Sequence, residues 1–93
     1  MEKLEFHLKL FVSGSGDKSE RISAKLRAVC EERIKGSYQI EIIDISKDAK
    51  AAGEHGVFAA PTLIRIFPAP VKRIVGDFSD SSFIARALDL PGG

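Results

Sequence analysis

With 93 residues, the chain has room for one core and one domain spanning 1–93, and a domain this small gains from assembling with copies of itself. It is 44% hydrophobic and 29% charged, a globular balance, and 14 Lys and Arg against 13 Asp and Glu leave a formal charge of +1. That near-neutrality excludes a bulk field for nucleic acid or an anionic membrane, and a single cysteine excludes both a disulfide framework and a multi-cysteine zinc site. No apolar run approaches the ~20 residues that span a bilayer and no export signal is legible, so a cytoplasmic protein without membrane contact is expected.

Residues 6–12, Phe-His-Leu-Lys-Leu-Phe-Val, alternate and then turn wholly apolar, as a strand entering a buried sheet does. The cluster 13–17, Ser-Gly-Ser-Gly-Asp, is a turn in which Asp17 reads as a helix N-cap and Glu20 completes a capping box. Ile22, Leu26, Val29 and Ile34 keep helical spacing, and Gly36 reads as a left-handed stop after Lys35. Residues 38–45 form a second strand, which makes a βαβ unit with parallel strands and a right-handed crossover. Ser46 or Asp48 caps a short Ala-rich helix over 48–55. Residues 62–67 and 71–75 are β-branched runs split by Pro68-Ala69-Pro70, which predicts a hairpin, and Gly76-Asp77 ends the second run. Ser79 or Asp80 opens a last helix through Leu88, stopped by Pro91.

The resulting order, βαβαββα, is that of the thioredoxin fold, so the expected class is α/β and thioredoxin-like. Pro61 then stands where such domains carry a cis-proline. A redox thioredoxin keeps Cys-x-x-Cys at the turn where residues 13–17 lie, because the helix N-terminus stabilises a thiolate there. This chain has no cysteine at that turn. Cys30, late in the first helix and beside core positions, reads as a small core hydrophobe. Gly14-x-Gly16 lacks the third glycine of a dinucleotide fingerprint and the Lys-Ser/Thr of a P-loop. His7 and His55 have no ligand spacing, so neither a metal nor a cofactor is expected. Two basic features suit a protein partner: Arg21 and Lys25 near the start of the first helix, and Lys72-Arg73 beside Pro70 on the hairpin edge.

Five stretches in order, Lys9-Leu-Phe-Val-Ser-Gly14, Ile43-Asp-Ile45, Ala60-Pro-Thr-Leu63, Pro68-Ala-Pro-Val-Lys-Arg73 and Ile74-Val-Gly-Asp-Phe-Ser79, resemble the KaiB family of circadian clock proteins. The resemblance runs almost ungapped from about Phe6 to Asp89. It implies a non-enzymatic regulator that binds a KaiC-type ATPase, competes there with a thioredoxin-like sensor-kinase domain, and recruits a KaiA-like partner. It also implies a second, ground-state arrangement of the C-terminal half, assembled as dimers or tetramers, with Pro61, Pro68, Pro70, Gly76 and Asp77 in the segment that rearranges. Where the family commonly has Gly before Leu-Asp, this chain has Ala87 before Leu88-Asp89, and alanine favours helix by ~1 kcal/mol. Glu41 occupies a strand-two position where clock members often carry Lys, and a KaiB-like role in stress or environmental signalling fits the departures equally. The alternative from another class is a thioredoxin-fold enzyme or glutathione-binding protein without a dithiol, using residues 13–16 with Pro61.

Overall fold

The structure is a computed structural model whose described residues are 5–14, 16–34, 36–76, 78 and 80–91. It contains β1 (Glu5–Val12), α1 (Asp17–Arg33), β2 (Ser37–Asp44), α2 (Ala49–Glu54), β3 (Thr62–Phe67), β4 (Lys72–Val75) and α3 (Ser81–Ala87). This is the βαβαββα order expected from the sequence. The four strands form one sheet in the order β2-β1-β3-β4; β1 and β2 are parallel, while β1–β3 and β3–β4 are antiparallel.

Strand alternation divides the side chains of this sheet between two faces. Phe6, Leu8, Leu10 and Val12 of β1, with Leu63 of β3, point to the face covered by α1 and α3, where Leu26, Val29, Cys30, Ile84 and Leu88 complete the larger core. The opposite face carries a smaller cluster of Phe11, Ile43, Ala52, Val57 and Ile64 under the short α2. Because β1 lies inside the sheet, both its faces are apolar near Val12, which explains its continuous apolar end.

The first helix departs from its expected ends. Gly16 is the N-cap and makes no side-chain cap bond, so Asp17 is the first helical residue rather than the cap. The turn is pinned from outside: the Gly14 N–H donates to Asp44 Oδ1 at 2.9 Å, and Ser19 Oγ donates to the Gly14 carbonyl at 2.9 Å. Asp17 and Glu20 still lie in the first turn, where carboxylates favour the positive helix end. At the other end the helix stops at Arg33, before Gly36, because Ile34 is already extended (φ −106°) and turned into the core at 5% exposure. The two later caps are as expected: Asp48 accepts from the Ala51 N–H at 3.0 Å, and Asp80 accepts from Ser82 and Phe83 N–H. Ser79, Lys35 and Asp77 lie outside the described residues.

The Ala60–Pro61, Phe67–Pro68 and Ala69–Pro70 peptides are cis. Gly76 takes φ +108°, a conformation an L side chain rarely adopts, and its N–H donates to the Pro61 carbonyl, so glycine is required where β4 ends. Arg65, 3% exposed on the α1/α3 face, donates from Nη1 to the Leu88 carbonyl at 2.8 Å and from Nη2 to the Pro70 carbonyl at 2.8 Å. One buried cation thereby ties the end of α3 to the turn between β3 and β4.

Candidate functional site

At the end of the sheet where β1 stops, three parts of the chain converge: the first turns of α1, the loop carrying Pro61, and the residues Gly76 and Phe78 beyond β4. Between them lies an open groove of about 540 Å³. Lys18, Arg21, Ile22 and Lys25 line it from the helix, and Pro61, Gly76 and Phe78 line it from the loops. Phe78 is only 5% exposed and Ile22 packs on the larger core, so the groove floor is anchored to the interior of the domain. Lys18, Arg21 and Lys25 recur at helical spacing and so share one face of α1. Neither Lys18 nor Arg21 makes an ion pair among the described residues. The result is an apolar slot with a basic wall.

The other expected partner residues are not brought together with this groove. Lys72 and Arg73 are neighbours in sequence, but alternation along β4 sends them to opposite faces, Lys72 half-buried on the α1/α3 side and Arg73 exposed on the α2 side. Arg73 is also engaged within the chain: Nη1 donates to the Gly56 carbonyl at 3.0 Å and Nη2 to the His55 carbonyl at 2.5 Å, closing the C-terminal end of α2 against the hairpin. Glu41 is on the outer strand β2, opposite Lys9 in the parallel register, with Lys9 Nζ 3.8 Å from its carboxylate. Lys9 Nζ is also 3.2 Å from His55 Nε2, and His55 Nδ1 is 2.9 Å from the Ala51 carbonyl. Both ring nitrogens of His55 are thus occupied inside the domain. Pro68 and Pro70 flank the turn that Arg65 holds, Ala87 is the last residue of α3, and Asp89 follows it at φ +57°.

One exposed residue escaped the sequence reading. Phe58 is 92% exposed on the loop between α2 and Pro61, flanked by the buried Val57. The signal available was a bulky aromatic inside a Gly-Val-Phe-Ala-Ala-Pro run that has no periodicity to bury it.

No cysteine stands at the start of α1. Cys30 is fully buried in the larger core, and burial pushes its thiol up to about 11, which keeps it protonated and unreactive at neutral pH. Asp44 is held below the usual carboxylate range because its Oδ1 accepts hydrogen bonds from the Ser46 hydroxyl at 2.6 Å and from the Gly14 and Ser46 N–H groups at 2.9 Å. Its role is to fix the loop before α1. Among the described residues no group of His, Cys, Asp and Glu could hold a metal ion.

Without the dithiol, and with a basic-walled apolar groove beside Pro61, the chain is a thioredoxin-like domain. The solved structures agree on the fold: the N-terminal domain of Synechococcus elongatus SasA superposes with a TM-score of 0.76 at 16% identity, covering 96% of this chain and 88% of that one. Thioredoxin 1 from Thermosipho africanus TCF52B gives a TM-score of 0.69 at 18% identity, covering 89% of this chain and 90% of that one. The chain belongs to the KaiB family: the KaiB domain model matches residues 9–90. It is similar to the circadian clock oscillator protein KaiB of Prochlorococcus marinus strain MIT 9312, 42% identical over 83 residues covering 89% of this chain and 79% of the relative. The KaiB of Rippkaea orientalis is 39% identical over 88 residues, covering 95% and 85% of the two chains.

Proposed function

We propose that this chain is a non-enzymatic regulatory protein that binds a KaiC-type ATPase in circadian or environmental signalling, and that the groove beside Pro61 is part of the surface it uses. The observation that carries the reading is the basic wall of that groove. Arg21 and Lys25, singled out in the sequence, lie with Lys18 on one face of α1 over an apolar floor. The family relatives named as clock oscillator proteins support the signalling role. The absence of a cysteine from the start of α1 supports binding over dithiol chemistry. Lys72 and Glu41 lie apart from the groove, on the two edge strands, and would contact the partner separately, while Arg73 is held by the Gly56 and His55 carbonyls. A thioredoxin-like sensor-kinase domain would compete with this chain for the ATPase, and a KaiA-like protein would be recruited to the complex.

The test is co-elution of the full chain with a purified KaiC-type ATPase, in ATP and in ADP, on size-exclusion chromatography with light scattering. A complex is expected, and Arg21→Glu should weaken it about tenfold, the product of a lost ion pair and a new like-charge contact. A chain that elutes unchanged with the ATPase in both nucleotides would refute the reading.

A further inference from the structure

We propose that the groove between α1 and the Pro61 loop is completed by a second copy of this chain, Phe58 of each copy filling the groove of the other across a twofold axis. Nothing in this pairing depends on the ATPase reading above. Phe58 is 92% exposed, yet the backbone on both sides of it is held. Val57 is buried at 5% exposure, and its N–H donates to the Ala52 carbonyl at 2.8 Å. The Gly56 carbonyl accepts from Arg73 Nη1 at 3.0 Å, and the Ala59 carbonyl accepts from Thr62 Oγ1 at 2.6 Å. A bulky ring on a loop fixed in this way enters a pocket with little conformational freedom left to lose.

Pro61, which lines the groove, follows Phe58 by three residues, so knob and hole lie within about 11 Å of each other along the chain. The exposure of the ring shows that it does not fill its own groove. A knob beside a matching hole is the arrangement that a twofold axis turns into two equal contacts. The match is chemical on both counts. The hole has an apolar floor of Ile22, Pro61 and Phe78 under Lys18 and Arg21, neither of which is paired with an acid among the described residues. The knob segment 54–58 carries the ring together with Glu54, which is exposed at the end of α2 and likewise without an ion pair among the described residues. With the ring on the floor, Glu54 of the second copy answers the unpaired cations of the wall, and those cations also favour an aromatic face beneath them. Two rings bury about 150–250 Å² each and cover as much of the grooves, roughly 600–1,000 Å² in all. That falls short of the ~1,200 Å² at which stable interfaces begin, so the dimer is weak, with a Kd on the order of 0.1 mM.

The test is sedimentation equilibrium of the full chain alone, at low salt, from micromolar to millimolar concentration, with ¹⁵N spectra recorded over the same dilution. A monomer–dimer equilibrium is expected, with amide shifts centred on Ile22, Phe58, Gly76 and Phe78. Phe58→Ala removes both knobs at once, each a contact worth about tenfold, and should weaken the dimer about a hundredfold. Phe58→Leu keeps an apolar knob and should stay within about tenfold of the parent. Thermal melts of both variants at micromolar concentration should follow the parent, because the ring is exposed in the single chain. Arg21→Glu should weaken the dimer about tenfold over its two contacts, and adding Glu54→Arg should restore it, a rescue that a structural role for either residue would not give. A parent chain that stays monomeric at millimolar concentration overturns the proposal and leaves the groove to a foreign partner. A dimer indifferent to Phe58→Ala overturns it as well, as do shifts centred on the open edges of β2 or β4, which would mean strand pairing. An Arg21→Glu dimer that Glu54→Arg fails to restore removes the charge match that selects a second copy and counts against it equally. The ATPase takes no part in these measurements, so its binding can succeed or fail without changing their outcome.

Discussion

The two faces of the sheet solve the same problem with different means. The face under α1 and α3 is sealed by long side chains from both helices and the strands beneath them, and it takes in Arg65, the one buried charged residue among those described. The face under α2 has a helix of six residues to cover it, so it is apolar only near Phe11, Ile43 and Ile64 and becomes polar toward His7, Lys9 and Glu41. A sheet covered on both faces needs apolar residues at every inner position of its central strand, while one half-covered face tolerates Lys and His at alternate positions. The difference makes the first face responsible for stability and leaves the second, with its short helix and the loop beyond it, to hold Phe58 and Pro61 in place.

The largest effect should therefore come from the sealed face. Leu10→Ala removes a side chain with no exposure from the centre of the larger core and should cost about 3–5 kcal/mol, enough to unfold most of a domain this small. The same truncation on the other face, Ile43→Ala at 7% exposure, should cost about 2 kcal/mol, because a site at the rim of a small cluster can collapse or rehydrate. Urea melts of both variants check the pair, and equal losses would erase the distinction between the faces.

Arg65 gives the next effect. It has no acidic partner among the described residues; its guanidinium is satisfied by the carbonyls of Leu88, Asp89 and Pro70, while Nε is buried without one. Arg65→Ala leaves those carbonyls unpaired beside a cavity and should cost about 2–4 kcal/mol. Arg65→Lys should recover part of the loss, because an ammonium reaches one carbonyl but cannot span the end of α3 and the turn at Pro70 together. Amide exchange should quicken first at Ile84 to Leu88 in either variant. Exchange that quickens evenly over the whole chain would mean that Arg65 is no more than a core residue.

Much of this was legible in the sequence, and the rest was hidden for identifiable reasons. Alternation in 6–12 and 38–45, helical spacing from Ile22 to Ile34 and the Pro68-Ala69-Pro70 break each report a local period, so the seven elements and their order could be read directly. The ends of α1 could not, because they are set by distant groups: the Asp44 carboxylate thirty residues away holds Gly14, and the core draws in Ile34. Arg21 and Lys25 were found from their place on the helix, but the groove they line also needs Pro61 and Phe78, which only the fold brings near. The pairing of Lys72 with Arg73 looked like one basic spot in sequence, yet adjacent strand residues face opposite ways.

The smallest effects are titrations, one for each side of neutrality. Burial raises the Cys30 thiol from its ordinary value near 9 to about 11, so the unfolded chain loses this proton first. Its contribution is fully present below about pH 9 and is lost as pH rises toward 11, and Cys30→Ala should flatten that alkaline decline. Asp44 works in the other direction. Its pKa is depressed below 3.8 in the folded chain by the Ser46 and Gly14 hydrogen bonds, so its contribution is present above the ordinary value and is lost as pH falls through the folded one. Asp44→Asn should lower stability at pH 7 slightly and reduce the acid decline below about pH 4, with the first exchange changes at Gly14 and Ser46. Because Asp44 fixes the turn from which α1 starts, the same variant should loosen the basic wall of the groove while leaving both cores intact. An acid melt of the Asp44→Asn variant that follows the parent over the whole range would show that the turn is held by Ser19 and the sheet alone.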